Sequence, residues 1–197
     1  MSLDKTKPST RGEPVRQRVI DAAETLLRQG KAEFSMRDLA AQAQVSFATP
    51  FNHFGSKVAI MQALSARRIE EMEARYRAAA PAGDARDRVL AATAIAAGVM
   101  LEESAVNRIV MGWLGTPATV PGPLAHSAAL WALALGAGDG LGVTGQDQAL
   151  AALSRHLAFG FRGVLSFWTA GELPEEELEA QACAVAAALL RGCAGDI

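Results

Sequence analysis

The chain has 197 residues, half of them hydrophobic, which suffices for one domain, or two small ones sharing a core, without disulfides or metals. A charged fraction of 20% excludes wholesale disorder, and a net charge of −2 excludes a basic nucleic-acid coat. The charge is uneven: residues 1–58 carry nine Lys/Arg against six Asp/Glu, and residues 59–197 carry ten against fifteen, so an anionic partner is expected at the front.

Residues 1–13 read as a polar, flexible arm; they hold charge without an apolar core, so they do not form a signal peptide. A first helix is expected from Pro14, with Val19, Ile20, Ala23, Leu26 and Leu27 as one apolar stripe and Gly30 as a left-handed cap. Ser35 caps a second, short helix with Asp38 in its first turn, and Met36, Leu39, Ala40 and Ala43 face inward. After the turn Ala43-Gln44-Val45, Ser46 caps a third helix, Phe47–Phe54, which Gly55 breaks. Ser56 then caps a longer helix that runs to about Ala80 and closes at Pro81-Ala82-Gly83.

Further helices are expected at 84–102, 103–114, 123–136, 145–170 and 174–192, with breaks at Gly115-Thr116-Pro117, Gly136–Gly145 and Gly171–Pro174. No segment alternates with a two-residue period, so the expected fold class is all-α. The longest apolar stretches, Val89–Leu101 and Leu124–Gly138, fall short of the roughly 18 residues of a membrane span and read as buried helices. Cys183 and Cys193 lie ten apart on one expected helix, about 15 Å by helical rise and too far for an intrachain disulfide. Free thiols in a cytosolic protein are the plain reading, with a redox switch or an intersubunit bridge as the alternative.

No motif of a phosphate loop, zinc protease or serine hydrolase is present, His53, His126 and His156 lie far apart, and no Cys/His cluster has metal-ligand spacing. No metal, cofactor or covalent chemistry is therefore expected. The glycine-rich run 136–142 has no strand before it and reads as a helix–helix linker, and Glu175–Glu177 complement a helix dipole.

The informative segment is 35–57, SMRDLAAQAQVSFATPFNHFGSK. Two short helices joined by a three- or four-residue turn make a helix-turn-helix, whose second helix is narrow enough for the DNA major groove. On a helical wheel Phe47, Ala48, Phe51 and Asn52 share one face; Pro50 and Phe54 share the other and can pack on Leu39 and Leu26. The pattern alone also fits two amphipathic helices packed for stability.

The run Leu39-Ala40…Val45-Ser46-x-x-Thr49-x-Phe51-x-His53-Phe54-Gly55-Ser56-Lys57, behind a helix ending at Gly30, resembles the DNA-binding domain of TetR-family transcriptional regulators. The resemblance covers about residues 14–65. It implies a DNA-binding domain at 14–58, a connector helix at about 57–80, and a helical ligand-binding and dimerisation domain at 81–197. It places Ser35, Arg37, Thr49, Phe51, His53 and Lys57 where phosphates are touched or supported, and Ser46, Phe47, Ala48 and Asn52 on or beside the base-reading surface. Gln44 stands where the family usually has glycine, which costs about 1 kcal/mol if φ is positive. Pro50 in the reader helix lacks an N–H, and Phe51 replaces the usual tyrosine. For His53, satisfaction of a backbone group on the first helix's side is the alternative.

The implied protein is a cytoplasmic, homodimeric repressor of a palindromic double-stranded DNA operator, released by a small, largely apolar effector, with no membrane role. A helical carrier or enzyme with an idle head is the alternative. Met100, Met111, Trp113, Trp131, Phe159 and Arg162 are the candidate effector contacts, with plain core packing as the alternative for the apolar ones. Arg162 and His156 are polar positions in an otherwise apolar helix, suited to an anionic ligand group, a dimer contact or solvent. His156, Gly160, Gly163 and Phe167 share one helical face, and Ala182, Ala186 and Ala187 offer a small surface on the last helix; these are the candidate dimer interface, unless the glycines only admit a neighbour from the same subunit.

Overall fold

The computed structural model describes residues 13–114, 123–142 and 146–193, and among them every regular element is helical. Residues 1–12 of the expected arm, the break at Gly115–Pro117 and part of the 136–145 linker lie outside the described residues, and Glu13 already belongs to the first helix.

Helix α1 (Glu13–Arg28) carries the expected stripe, and Val19, Ile20, Ala23, Leu26 and Leu27 are all buried. Gly30, at φ 73°, ends it: Gly30 N–H bonds Leu27 O and Lys31 N–H bonds Leu26 O, which satisfies the last carbonyls. Helix α2 (Met36–Gln42) opens on a reciprocal capping box between Ser35 and Asp38. Helix α3 (Ala48–Phe54) starts one residue later than the sequence suggests. Pro50 sits in its first turn, where an N–H has no helical partner in any case, so the proline costs no hydrogen bond.

Helix α4 (Lys57–Ala79), capped by Ser56, runs from this head into the rest of the molecule. It ends on Ala80 in the left-handed region at φ 42°. The head core gathers Leu26, Leu27, Phe34, Leu39, Ile60 and Leu64, and it is completed by Val106 and Val110 of α6 (Ser104–Trp113). The head thus shares its core with a helix from the second half of the chain.

The body is built from α4, α5 (Ala85–Glu102), α6, α7 (Pro123–Leu135), α8 (Asp147–Ala170) and α9 (Leu178–Cys193). A 3₁₀ turn, Glu175–Glu177, precedes α9 where the sequence suggests continuous helix. Helix α5 packs against α4, α7 and α9, and α8 lies between α7 and α9. Trp168 is fully buried at the centre of this core with Leu130, Leu153, Leu157 and Leu178. Arg88 fastens the linker after α7: it donates to Ala134 O at 3.0 Å, to Leu135 O at 3.1 Å and to Asp139 Oδ1 at 2.6 Å. The glycine-rich run is a helix–helix linker tied to α5. No single described helix is long and apolar enough to cross a membrane.

Candidate functional site

The turn between α2 and α3 fixes how α3 is presented. Val45 N–H bonds Ala40 O at 3.0 Å and Gln44 N–H bonds Ala41 O at 3.2 Å, a C-terminal cap with its hinge residue left-handed. That residue is Gln44, at φ 53°. The strain expected of a non-glycine residue is present.

Pro50 is buried and Phe54 packs on the head core, so the inner face of α3 is the expected one. The outer face is open. Phe47 is 63% and Phe51 61% exposed, and Ala48 and Asn52 are exposed beside them. Two phenylalanine rings in water serve no core. Arg37 of α2 stands 5.7 Å from the Phe47 ring centroid, which keeps an exposed cation next to the aromatic pair.

The other head candidates divide. Ser46 and Thr49 share a 2.7 Å hydroxyl–hydroxyl hydrogen bond at the start of α3. Ser35 is exposed, but its hydroxyl donates to Asp38 at 2.7 Å and is engaged in the cap. This bond and that from the Ser35 N–H hold the Asp38 carboxyl below its ordinary range. His53 is exposed and makes no hydrogen bond among the described residues, so it does not satisfy a group on α1. Lys57 is a correction. Its Nζ donates to Ala32 O at 2.6 Å and lies 4.5 Å from the Phe34 ring and 5.1 Å from the Trp113 ring. The ammonium is turned into the molecule, where it ties α4 to the α1–α2 loop and to α6.

In the body, a cavity of about 60 Å³ lies between α4, α5, α6, α7 and α8. Met100, Met111, Trp131 and Arg162 line it, as expected of effector contacts. Two candidates do not. Trp113 packs against the head core beside Lys57, and Phe159 points outward, 53% exposed. The sequence reading missed Arg68, Met72 and Phe161, which also line the cavity; Phe161 meets Trp131 edge-on at 5.5 Å.

Arg68 belongs to a charged cluster that joins the cavity to the head. It pairs with Glu24 of α1, donates to Glu103 at 2.8 Å, and through Nε to Asn107 Oδ1 at 3.0 Å. Asn107, itself buried, donates to Val99 O and Met100 O near the end of α5. Arg67 adds bonds to Glu24 at 2.8 Å and Asp21 at 2.6 Å. Burial alone would raise the Glu24 carboxyl, but the hydrogen bond and charge of Arg68, with Arg28 and Arg67, hold it below its ordinary value. The available signal was Glu24 inside a buried stripe and the doublet Arg67-Arg68 on α4.

The candidate interface residues also divide. A Cβ on Gly160 would stand 2.8 Å from Val185 and 3.1 Å from Leu189 of α9 in the same chain, so this glycine admits an intrachain neighbour. Ala182 and Ala186 are buried in the chain's own core and offer nothing to a second copy, and Ala187 is only partly exposed. His156, Gly163 and Phe167 do lie on the open face of α8, with Phe159 among them. Ala180, Ala184 and Ala188 form the exposed stripe of α9. Cys183 is a free, half-buried thiol whose pKa is raised by burial and by Glu179, which disfavours the reactive thiolate.

Residues 19–64 match the sequence model of the bacterial regulatory proteins of the tetR family. The backbone superposes on a TetR transcriptional regulator from Rhodococcus sp. RHA1, with a TM-score of 0.76 and 19% identity over 90% of this chain and 97% of that one. It likewise superposes on Thermus thermophilus FadR, a TetR-family repressor in complex with lauroyl-CoA (TM-score 0.76, 23% identity, 90% of this chain and 94% of that one). The multidrug binding protein EbrR, complexed with imidazole, matches at TM-score 0.56 and 25% identity over 96% of this chain and 97% of that one. No curated protein sequence matches the chain. Residues 19–64 thus match the tetR-family regulatory proteins, and the chain as a whole shares the helical fold of these solved structures.

Proposed function

We propose that the protein is a cytoplasmic, homodimeric, ligand-responsive repressor that binds a palindromic DNA operator and performs no covalent chemistry. The head spans 14–58, α4 is the connector, and 81–197 holds the effector and dimer surfaces. One observation carries the reading: α3 is held rigidly by its buried face while Phe47 and Phe51 stand in solvent beside Ala48 and Asn52. Apolar rings on a groove-sized helix fit thymine methyl groups, and Asn52 supplies donor and acceptor atoms for a base edge. Arg37, Thr49, His53 and the backbone N–H groups opening α2 and α4 are the phosphate-side contacts.

The exposed Phe159 and Phe167 of α8 and the alanine stripe of α9 form the surface for a second copy. Such a dimer sets two reader helices about 34–36 Å apart. The effector enters the cavity beside Arg68. FadR with lauroyl-CoA and EbrR with imidazole are relatives in fold that hold small molecules. Widening the cavity moves α4 and, through Arg68 and Glu24, α1, so the head spacing that DNA requires is lost. A carrier or enzyme with an idle head leaves the exposed aromatic face of α3 without a purpose.

The test is a gel shift and footprint on the DNA flanking the protein's own gene. A protected two-fold symmetric site is expected. Binding that is uniform across unrelated DNA, or absent, overturns the reading.

A further inference from the structure

Two arginines, Arg68 and Arg162, line the cavity, and no Asp or Glu stands among its described lining residues. Their positions differ. Arg68 is fully engaged by Glu24, Glu103 and Asn107. Arg162 is exposed at the mouth of the cavity, beside Ala158, Phe161 and Leu165 of α8, and forms no hydrogen bond or ion pair among the described residues. Its apolar neighbours lower its pKa by partial desolvation. The remaining wall is apolar and includes three methionines, Met72, Met100 and Met111. Methionine side chains repack easily, so a cavity of about 60 Å³ can widen around a guest.

Resting on the effector reading above, we infer that the cavity takes a monoanionic amphiphile, its carboxylate-type head on Arg162 and its apolar body among Met72, Met100, Met111 and Trp131. Charge disfavours the other classes. A neutral apolar guest leaves the Arg162 cation at the cavity mouth with no partner but water. A cationic guest meets two guanidinium groups. A monoanion supplies the missing charge, and Arg162 can hold a carboxylate through two parallel hydrogen bonds. Arg68 stays with Glu24 and is not the anchor.

The experiment is calorimetric titration of the full chain with two matched series: octanoate, octanol and octylamine; and 3-phenylpropionate, 3-phenylpropanol and 3-phenylpropylamine. The expected order is anion over alcohol by about tenfold or more, with the amine weakest. Arg162→Gln should abolish the preference and leave the alcohol's Kd unchanged. Ala158→Phe, which fills the cavity, should weaken anion and alcohol alike. If the alcohol binds as well as the anion in both series, or Arg162→Gln keeps the preference, the anionic class is overturned while the cavity stands. If Ala158→Phe leaves all binding unchanged, or no probe of either series binds, the cavity reading itself falls. Circular dichroism of each variant confirms that it is folded.

Discussion

Arg68 of α4 is bonded to Glu24 of α1 while its side chain also forms part of the cavity wall in the body. One side chain therefore belongs both to the cavity wall and to an ion pair with the first helix. Glu24 is only 5% exposed, so the pair is largely removed from water. Its attraction is little screened, and separating the partners is correspondingly costly.

Glu24→Gln should destabilise the protein by about 3 kcal/mol at pH 7, because it removes the buried counter-charge and leaves Arg68 with the more exposed Glu103. The pH dependence follows from the lowered Glu24 pKa. A carboxylate depressed in the folded state contributes stability that is complete above its unfolded value, 4.5, and is lost as pH falls through the folded value. Denaturant melts of both proteins at pH 7 and below pH 4 check this. The gap should narrow in acid; a constant gap would show that the carboxylate's charge is not what matters.

Gln44→Gly should stabilise the protein by about 0.5–1 kcal/mol, since glycine takes the left-handed conformation without a Cβ penalty. The gain is net of the extra freedom glycine has when unfolded. A melting temperature raised by about 2–4 °C per kcal/mol is the readout. An unchanged or lowered value would mean that the Gln44 side chain contributes more than its backbone costs.

Much of this was legible because the signals are local. Gly30 and Gly171 end their helices in the left-handed conformation, and Ser35 and Ser56 begin theirs as side-chain caps. Each of these acts within a few residues of itself. The left-handed Ala80 carries no such signal in its own side chain. The open face of α9 was misplaced by two residues because alanines occupy several of its faces, Ala180, Ala182, Ala184, Ala186, Ala187 and Ala188, and periodicity cannot choose among them. The Lys57 contacts have no local signal, because its flexible stem meets partners, Ala32, Phe34 and Trp113, that only the tertiary fold brings close. Arg68 and Glu24 are likewise distant in sequence, so neither helix pattern announces the other.

Arg37 and Lys57 should now separate experimentally. Arg37→Ala should weaken binding to all DNA sequences similarly and flatten the slope of log K against log salt by about 1 per contact. Lys57→Ala should instead lower thermal stability by about 1–2 kcal/mol, through loss of the Ala32 bond and two ring contacts, and leave the salt slope in place. A slope that falls with Lys57→Ala while the melting temperature holds would return that ammonium to the phosphates.

Phe47→Ala should cost about 1–3 kcal/mol on the operator and much less on random DNA. Its ring is exposed, so the melting temperature should hardly move. Comparing competition by operator and random duplexes measures the difference. Equal losses on both would assign Phe47 to general affinity and leave readout to Asn52.

The dimer surface can be tested by setting two α8 positions against each other. Phe159 is more than half exposed in the single chain, so Phe159→Asp removes no intrachain core packing. If α8 meets its copy through this face, the aspartates place like charges in an apolar seam, and the protein should sediment as a monomer with unchanged helical content. Operator affinity should fall steeply, because each head alone makes half the contacts. Gly160→Leu should behave differently. Its Cβ falls within 2.8 Å of Val185, so the larger side chain forces α8 away from α9 inside one chain, at about 1–3 kcal/mol or more. Lower thermal stability is its expected signature. A Phe159→Asp protein that remains dimeric with normal operator binding would remove this face from the interface.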